Sequence, residues 1–231
     1  MKGLSISFVL PMYNEAQSIE ATLAKVDILG KELCDDYEMI VVNDASTDHC
    51  GEIVDALAKK NERIVPIHLK VNTKFGGALK TGLMAATKEI VMYTDADLPV
   101  KEDDVREAVR LLNKGADVIS GYSLVLKDTS IKRIVMSKVY NFLIQVLFGL
   151  NLRDINSGFK VYRRETLQGL RLRSQSPFVD VEIFVEITKR GFSITPYGLI
   201  FQLRTKGRST ISRPSVVLRT FIDMFTYWVL R

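Results

Sequence analysis

Asp95 and Asp97 follow the apolar run Glu89–Thr94 and are separated only by Ala96. Two carboxylates so placed offer hard oxygen ligands suited to a divalent metal, Mg2+ or Mn2+. Magnesium commonly takes one or two carboxylates and leaves its other positions to waters and substrate phosphates. A metal between these acids and a diphosphate would neutralise charge building on a nucleoside-diphosphate leaving group. Two further polar groups follow apolar runs. Pro11-Met12-Tyr13-Asn14-Glu15 comes after Leu4–Leu10, and Asn43-Asp44 closes Glu38–Asn43. Asn43 and Asp44 could hydrogen-bond a base or ribose, or cap a helix starting near Thr47–Asp48. Glu15 could hold a sugar hydroxyl, although an acid at a helix N-terminus is favourable without any ligand. Pro11 and Tyr13 would shape the first loop.

Lys74 lies in Asn72-Thr73-Lys74-Phe75-Gly76-Gly77, where it could meet a phosphate that the glycines allow close to the backbone. The same stretch reads equally as a loop-to-helix junction. Asp180 and Glu182 present a third choice. One carboxylate could take a proton from a hydroxyl acceptor, orient a donor sugar, or mark the start of the Val181–Lys189 helix. The chain has no strand-linked GxGxxG and no GxxxxGK[ST], which removes the usual dinucleotide and P-loop arguments.

The elements that must carry these groups alternate. Leu4–Leu10, Glu38–Asn43, Ile64–Leu69, Glu89–Thr94 and the shorter Ala116–Ser120 read as strands. Ser18–Leu33, Asp48–Lys60, Gly77–Ala86 and Asp103–Asn113 read as helices. This repetition predicts an α/β fold with a mostly parallel central sheet flanked by helices. Ligands of such sheets bind beyond the carboxyl ends of the strands, near a change in strand order. If the second and fourth strands flank the first, the three polar groups converge. The second half predicts a basic loop entering a helix over Tyr122–Ser137 and an apolar helix over Lys138–Leu150. Beyond these come a strand at Gly158–Arg163, edge strands at Phe192–Pro196 and Leu199–Arg204, and a final helix at Val216–Leu230.

The chain has 231 residues, of which 47% are hydrophobic and 26% charged, enough to bury a core and to exclude a disordered or collagen-like chain. Two cysteines, Cys34 and Cys50, exclude a disulfide framework or a Cys-rich zinc site. The net charge of +5 sits wholly in residues 204–231, whose six basic residues oppose Asp223 alone. No secretory signal is expected, and the longest apolar stretch, Tyr140–Leu150, falls short of the roughly 20 residues that span a bilayer. One domain over residues 1–231 is the simplest division. Residues 122–157 would be an acceptor- or membrane-facing insertion, and residues 204–231 a basic amphipathic C-terminal segment.

In order along nearly the whole chain, Leu10–Glu15 (LPMYNE), Val41–Asp48 (VVNDASTD), Asn72–Ala78 (NTKFGGA), Asp95–Leu98 (DADL), Asp154–Glu165 (DINSGFKVYRRE) and Leu203–Ser209 (LRTKGRS) resemble glycosyltransferase family 2. They are most similar to its polyprenyl- and dolichyl-phosphate mannosyltransferases and glucosyltransferases. The resemblance implies a GT-A-like nucleotide-diphosphate-sugar fold, with Pro11, Tyr13, Glu15, Asn43 and Asp44 around the nucleotide and the metal on Asp95 and Asp97. Asn43 stands where the commoner pattern has an acid.

It also implies inverting transfer of a hexose from GDP-mannose or UDP-glucose to a polyprenyl or dolichyl phosphate. Candidates for the acceptor phosphate are Lys132, Arg133, Lys160, Arg163, Arg164, Arg204, Lys206 and Arg208. Arg133, Arg163, Arg204 and Arg208 lead, with Ser157 nearby. A peripheral protein on the cytoplasmic face of the membrane is expected, alone, as a homo-oligomer or with a membrane-protein partner. Two rivals are a family member acting on a sugar hydroxyl and a non-catalytic nucleotide-sugar or membrane-binding protein. A nucleic-acid binder is disfavoured, because residues 1–203 are net neutral and the basic end lacks a reader motif.

Overall fold

A computed structural model describes residues 3–125, 131–202 and 214–230, with side chains of the fifth helix from residue 134 onward. Four strand–helix units open the chain: β1 (Ser5–Met12) and α1 (Ile19–Leu33), β2 (Asp36–Asn43) and α2 (Cys50–Ala58), β3 (Ile64–His68) and α3 (Lys74–Ala85), β4 (Ile90–Thr94) and α4 (Glu102–Asn113). Then come β5 (Val118–Ser123), α5 (Ile131–Phe148), β6 (Phe159–Arg163), α6 (Arg164–Leu167), α7 (Val179–Lys189), β7 (Ile194–Leu199) and α8 (Pro214–Leu230).

Among the described residues the strands make one seven-stranded sheet in the order β3-β2-β1-β4-β6-β5-β7. β2 and β4 therefore flank β1, in parallel, which is the arrangement the converging polar groups require. β1 alternates strictly. Ile6, Phe8, Leu10 and Met12 pack with α1, α2 and α4 on one face, while Val9 joins Ile40, Val42 and Val91 beneath α3, α7 and α5 on the other. Burial on both faces explains why the central strands read as unbroken apolar runs.

β6 is antiparallel to both β4 and β5, and every other pairing in the sheet is parallel. The excursion between β5 and β6 leaves and rejoins the sheet at the same edge, so β6 must run in the opposite sense. Three element boundaries differ from expectation. Helix α5 begins at Ile131, within the stretch expected to pass from basic loop into helix and seven residues before the expected apolar helix. Helix α3 begins at Lys74, before the two glycines. Among the described residues a single strand, β7, lies where two edge strands were expected, the second of which extends beyond those residues at 203–204, and it pairs with β5, where Pro196 is tolerated at the sheet margin.

Candidate active site

The first two loops are stitched together before any ligand is considered. Asn14, in a left-handed conformation (φ 58°), accepts the Thr47 N–H at 2.8 Å through Oδ1 and takes the Ser46 hydroxyl at 3.0 Å on its own N–H. Asp48 accepts the N–H groups of Ala16 at 3.0 Å and Cys50 at 3.1 Å. Burial pushes the Asp48 carboxyl up, but hydrogen bonds from Cys50 and Ala16 outweigh it and hold the pKa below its ordinary value. The first N–H of α2 is thus met by Asp48, the residue before its N-cap His49, and not by Asn43 or Asp44.

Asn43 closes its own turn by accepting the Ser46 N–H at 3.0 Å, and its amide nitrogen meets His68 Nδ1 at 3.1 Å. The other His68 nitrogen lies 2.9 Å from Asp55 Oδ1. Asp44 is buried and reaches the third loop: its Oδ1 accepts from the Thr73 N–H at 2.6 Å and the Thr73 hydroxyl at 2.9 Å. Tyr13 is exposed beside these loops. Glu15 Oε2 accepts the Ser18 hydroxyl at 2.9 Å ahead of α1. Pro11 belongs to β1 rather than to the loop, pairing with Val42 where the ladder to β4 has already ended at Val9.

Asp95 and Asp97 sit in the turn leaving β4. Leu98 holds φ 44° there, a costly conformation for leucine, fixed by its burial and by its N–H on the Asp95 carbonyl at 2.9 Å. The Asp95 carboxylate presses against the start of β6, where a Cβ on Gly158 would come within 2.3 Å of Oδ2. Its Oδ1 accepts the Tyr93 hydroxyl at 3.2 Å. The bare Gly158 surface and the hard oxygen donors suit a divalent metal. Among the described residues no trio of His, Cys, Asp or Glu forms a closed metal site. Two carboxylates from the protein, with phosphate and water supplying the rest, is the arrangement these donors fit.

Behind Tyr93 lies a buried ion pair. Lys160 Nζ is 3.2 Å from Asp180 Oδ1, and both side chains are wholly buried. The ammonium also donates to the Ser157 carbonyl at 2.5 Å and rests 5.3 Å from the centre of the Tyr93 ring. Burial pushes the Asp180 carboxyl up to about 6 against the pull of Lys160, and the negative charges of Asp95 and Asp154 add to the rise. Glu182 faces elsewhere: its carboxylate accepts the N–H groups of Arg173 at 2.8 Å and Ser174 at 2.9 Å.

Several expected phosphate ligands are not brought here. Arg163 pairs with Ile90, so it lies at the far end of β4 from Asp95, roughly 16 Å away at about 3.3 Å per residue. There its guanidinium donates to the Leu112 carbonyl at 2.5 Å and the Ala116 carbonyl at 3.0 Å, closing the end of α4. The reversed sense of β6 is the physical reason. Arg164 is bound nearby to the Ala86 carbonyl at 3.0 Å. Lys160 reaches the site end but is consumed by Asp180 and Ser157.

The glycines after Lys74 admit protein rather than phosphate. A Cβ on Gly76 would lie 2.7–2.8 Å from the backbone of residues 174–176, and one on Gly77 would strike Thr73. Lys74 itself is exposed at the start of α3 with φ 65°. Arg133 lies in the first turn of α5, where only the backbone is described, and Arg204, Lys206 and Arg208 lie outside the described residues. Tyr93 and Gly158 escaped sequence reasoning. The Ser-Gly-Phe-Lys motif held the signal for Gly158.

A sheet whose β2-β1-β4 carboxyl ends gather an Asp-Ala-Asp turn and two stitched loops is that of a GT-A-type transferase. The sequence profile of Glycosyl transferase family 2 matches residues 7–171, and the chain belongs to that family. It is 32% identical over 232 residues to glycosyltransferase AglD of Haloferax volcanii, covering 95% of this chain and 37% of that protein. It is 27% identical over 207 residues to the undecaprenyl-phosphate 4-deoxy-4-formamido-L-arabinose transferase of Yersinia enterocolitica, covering 84% of this chain and 63% of the relative.

The chain thus spans between about a third and two thirds of the length of these relatives. The fold matches Mycobacterium tuberculosis glucosyl-3-phosphoglycerate synthase solved with Mn2+, UDP and phosphoglyceric acid: TM-score 0.74, 21% identity, 98% of this chain and 79% of that one. It also matches the mannosyltransferase PcManGT of Pyrobaculum calidifontis solved with GDP-Man and Mn2+: TM-score 0.67, 22% identity, 96% of this chain and 64% of that one.

Proposed function

We propose that this family-2 glycosyltransferase transfers a hexose from GDP-mannose or UDP-glucose to a polyprenyl or dolichyl phosphate, with inversion at the anomeric carbon. The observation that carries the reading is the gathering of Asp44 after β2 and of Asp95 and Asp97 after β4 on either side of the loop that leaves β1, at the carboxyl ends of β2, β1 and β4. The name of one relative, an undecaprenyl-phosphate 4-deoxy-4-formamido-L-arabinose transferase, supports the lipid acceptor.

Pro11, Tyr13, Glu15, Asn43 and Asp44 would surround the nucleotide, with Lys74 at the rim. Asp95 and Asp97 would hold Mg2+ or Mn2+, which supplies charge neutralisation at the departing diphosphate. An acceptor phosphate oxygen attacks sugar C1 from the opposite side. The new C1–O bond forms as the bond to the diphosphate breaks, and the nucleoside diphosphate leaves. The attacking phosphate is already anionic near neutral pH, its second pKa being about 6, so no protein base is needed.

Arg133, Arg204, Lys206 and Arg208 remain the proposed acceptor-phosphate ligands. Asp180, sealed behind Lys160, is read as positioning Tyr93 and Asp95 rather than as a base. Among the described residues no helix is long and apolar enough to cross a membrane. The 122–157 and 204–231 segments would approach the membrane surface from its cytoplasmic face.

The test is a metal-dependent transfer assay with GDP-mannose and UDP-glucose against a short polyprenyl phosphate. Product is detected by mass, with Asp97→Ala as control. A lipid-phosphate hexose made only by the unaltered protein is expected. Transfer to a neutral sugar but never to lipid phosphate would replace the lipid acceptor with a hydroxyl.

A further inference from the structure

The turn that leaves β2 is held from behind as well as from the first loop. Asn43 ends β2 and lies directly beside His68, the last residue of β3. Its carbonyl accepts the Leu69 N–H at 2.9 Å, and its side chain is buried. Asn43 Oδ1 takes the Ser46 N–H, and a backbone N–H can only donate, so the contact fixes which way the amide is turned. The Nδ2 edge therefore faces His68 Nδ1. An amide nitrogen offers protons and no lone pair, which makes Nδ1 the acceptor and leaves it bare. The proton of the neutral ring then sits on Nε2, 2.9 Å from a carboxylate oxygen of Asp55 on α2. In this one tautomer every donor along the row Asp55–His68–Asn43–Ser46 meets an acceptor.

The row continues into the first loop. The Ser46 hydroxyl oxygen accepts the Asn14 N–H at 3.0 Å, and Asn14 Oδ1 accepts the Thr47 N–H at 2.8 Å. The loops that carry Tyr13, Glu15 and Asp44 are thus tied through Asn43 to a ring on β3, the outermost strand of the sheet. The first turn of α2 closes over the tie: a Cβ on Gly51 would come within 2.8 Å of Asn43 Nδ2 and 3.5 Å of His68 Cε1. Ala45 holds φ 53° inside the turn, a conformation unfavourable for alanine that the Asn43–Ser46 bond helps to fix. With a proton on Nδ1 the ring would turn N–H against N–H. Asn43 would then have to turn its amide over and release Ser46. The side chain of Asn43 serves the turn rather than a base.

We propose that His68, held in its Nε2–H tautomer by Asp55, is a positioning residue for the donor nucleotide, acting through Asn43 on the loops after β1 and β2. The same geometry accounts for an amide at position 43, where the commoner pattern has an acid. A carboxylate there would face the bare Nδ1, and only a second ring proton would reconcile the two. The inference rests on the nucleotide-diphosphate-sugar reading of these loops and is independent of the acceptor.

Calorimetric titration of the 231-residue protein with GDP and with UDP, in the presence of Mn2+, reads the loops. His68→Ala should weaken nucleotide binding about three- to tenfold, the worth of one hydrogen bond in a closed turn. His68→Gln sets an amide oxygen and an amide N–H in the places of Nδ1 and Nε2, and should recover affinity to within about twofold. In steady state the His68→Ala change should fall on donor KM more than on kcat. Nitrogen-15 NMR in mildly alkaline buffer reads the ring. The Nε2–H tautomer is expected, and Asn43→Asp should move it toward the doubly protonated form, which a ring not facing residue 43 would not do. Unchanged nucleotide affinity in His68→Ala, equal weakening in His68→Gln, or a ring indifferent to Asn43→Asp would each overturn the proposal. Nucleotide binding without transfer to lipid phosphate defeats the acceptor reading and leaves this one standing. Transfer with an unaltered donor KM in His68→Ala does the reverse.

Discussion

Lys160 Nζ lies 3.2 Å from Asp180 Oδ1 in a region closed to solvent, one aromatic ring away from the carboxylate of Asp95. Removing one member of such a pair strands an uncompensated charge in a low-dielectric interior. Lys160→Met or Asp180→Leu alone should therefore cost about 3–5 kcal/mol of stability. The double variant should recover much of that loss, because neither charge is then left alone. Chemical denaturation of the four proteins of the cycle measures the coupling. Independent, additive losses would show that the pair is not the unit.

The same pair gives stability a pH dependence of defined sign. Asp180 titrates at about 6 in the folded chain against 3.8 for an unperturbed carboxyl. Between these values the folded state holds a proton that the unfolded state has released. The contribution of this group to stability therefore falls as pH rises from about 4 to 6, by at most about 1.4 kcal/mol per pH unit. Asp180→Asn removes the titration. The difference in unfolding free energy between the unaltered protein and this variant should slope across that window and flatten above it. A flat difference from pH 4 to 7 would mean that Asp180 stays ionised throughout.

Much of this organisation is legible in the sequence, and the exceptions share one cause. The strands carrying the site loops are buried on both faces, so they appear as apolar runs, and the polar residues that follow them stand out. Strand order then needed only β2 and β4 beside β1. The sense of β6 could not be read, because it depends on the edge to which the α5 excursion returns the chain. Lys160, Arg163 and Arg164 look alike as a basic cluster in Phe-Lys-Val-Tyr-Arg-Arg, yet an antiparallel β6 scatters them. Lys160 goes under the site, and the arginines go to the far edge. An aspartate within Val-Asp-Val-Glu-Ile-Phe was the available sign that a buried cation must be waiting for it. Gly76 and Gly77 left the junction and phosphate readings both open for a related reason, since a tight approach of protein and one of phosphate ask for the same residue.

Arg163 holds carbonyls of Leu112 and Ala116 at the edge remote from Asp95, so its loss should be structural. Arg163→Ala is expected to lower stability by about 1–3 kcal/mol, the cost of leaving those acceptors without a charged donor. Its KM for the proposed lipid-phosphate acceptor should stay within about twofold of the unaltered protein, since the distance from the site leaves nothing for the ligand to lose. Thermal melts and steady-state kinetics separate the two effects. A large rise in acceptor KM at unchanged stability would return Arg163 to the phosphate site.

Gly158 tests the proposed metal site without touching a carboxylate. A Cβ there would stand 2.3 Å from Asp95 Oδ2, with the Asp95 N–H already bound to the Gly158 carbonyl at 3.3 Å. Neither group can yield freely, because one immediately precedes β6 and the other is held by Tyr93 and the Leu98 turn. Gly158→Ala should therefore displace the Asp95 carboxylate while the sheet persists. A misplacement of about 1 Å at a reacting centre can cost about 100-fold in rate, and a loss of that order in kcat is expected. Mn2+ titration in the presence of the nucleoside diphosphate should show weakened metal binding in the same variant. Normal Mn2+ affinity with normal kcat would mean that Asp95 has room to move aside, and that the Gly158 contact does not set the position of the proposed metal ligand.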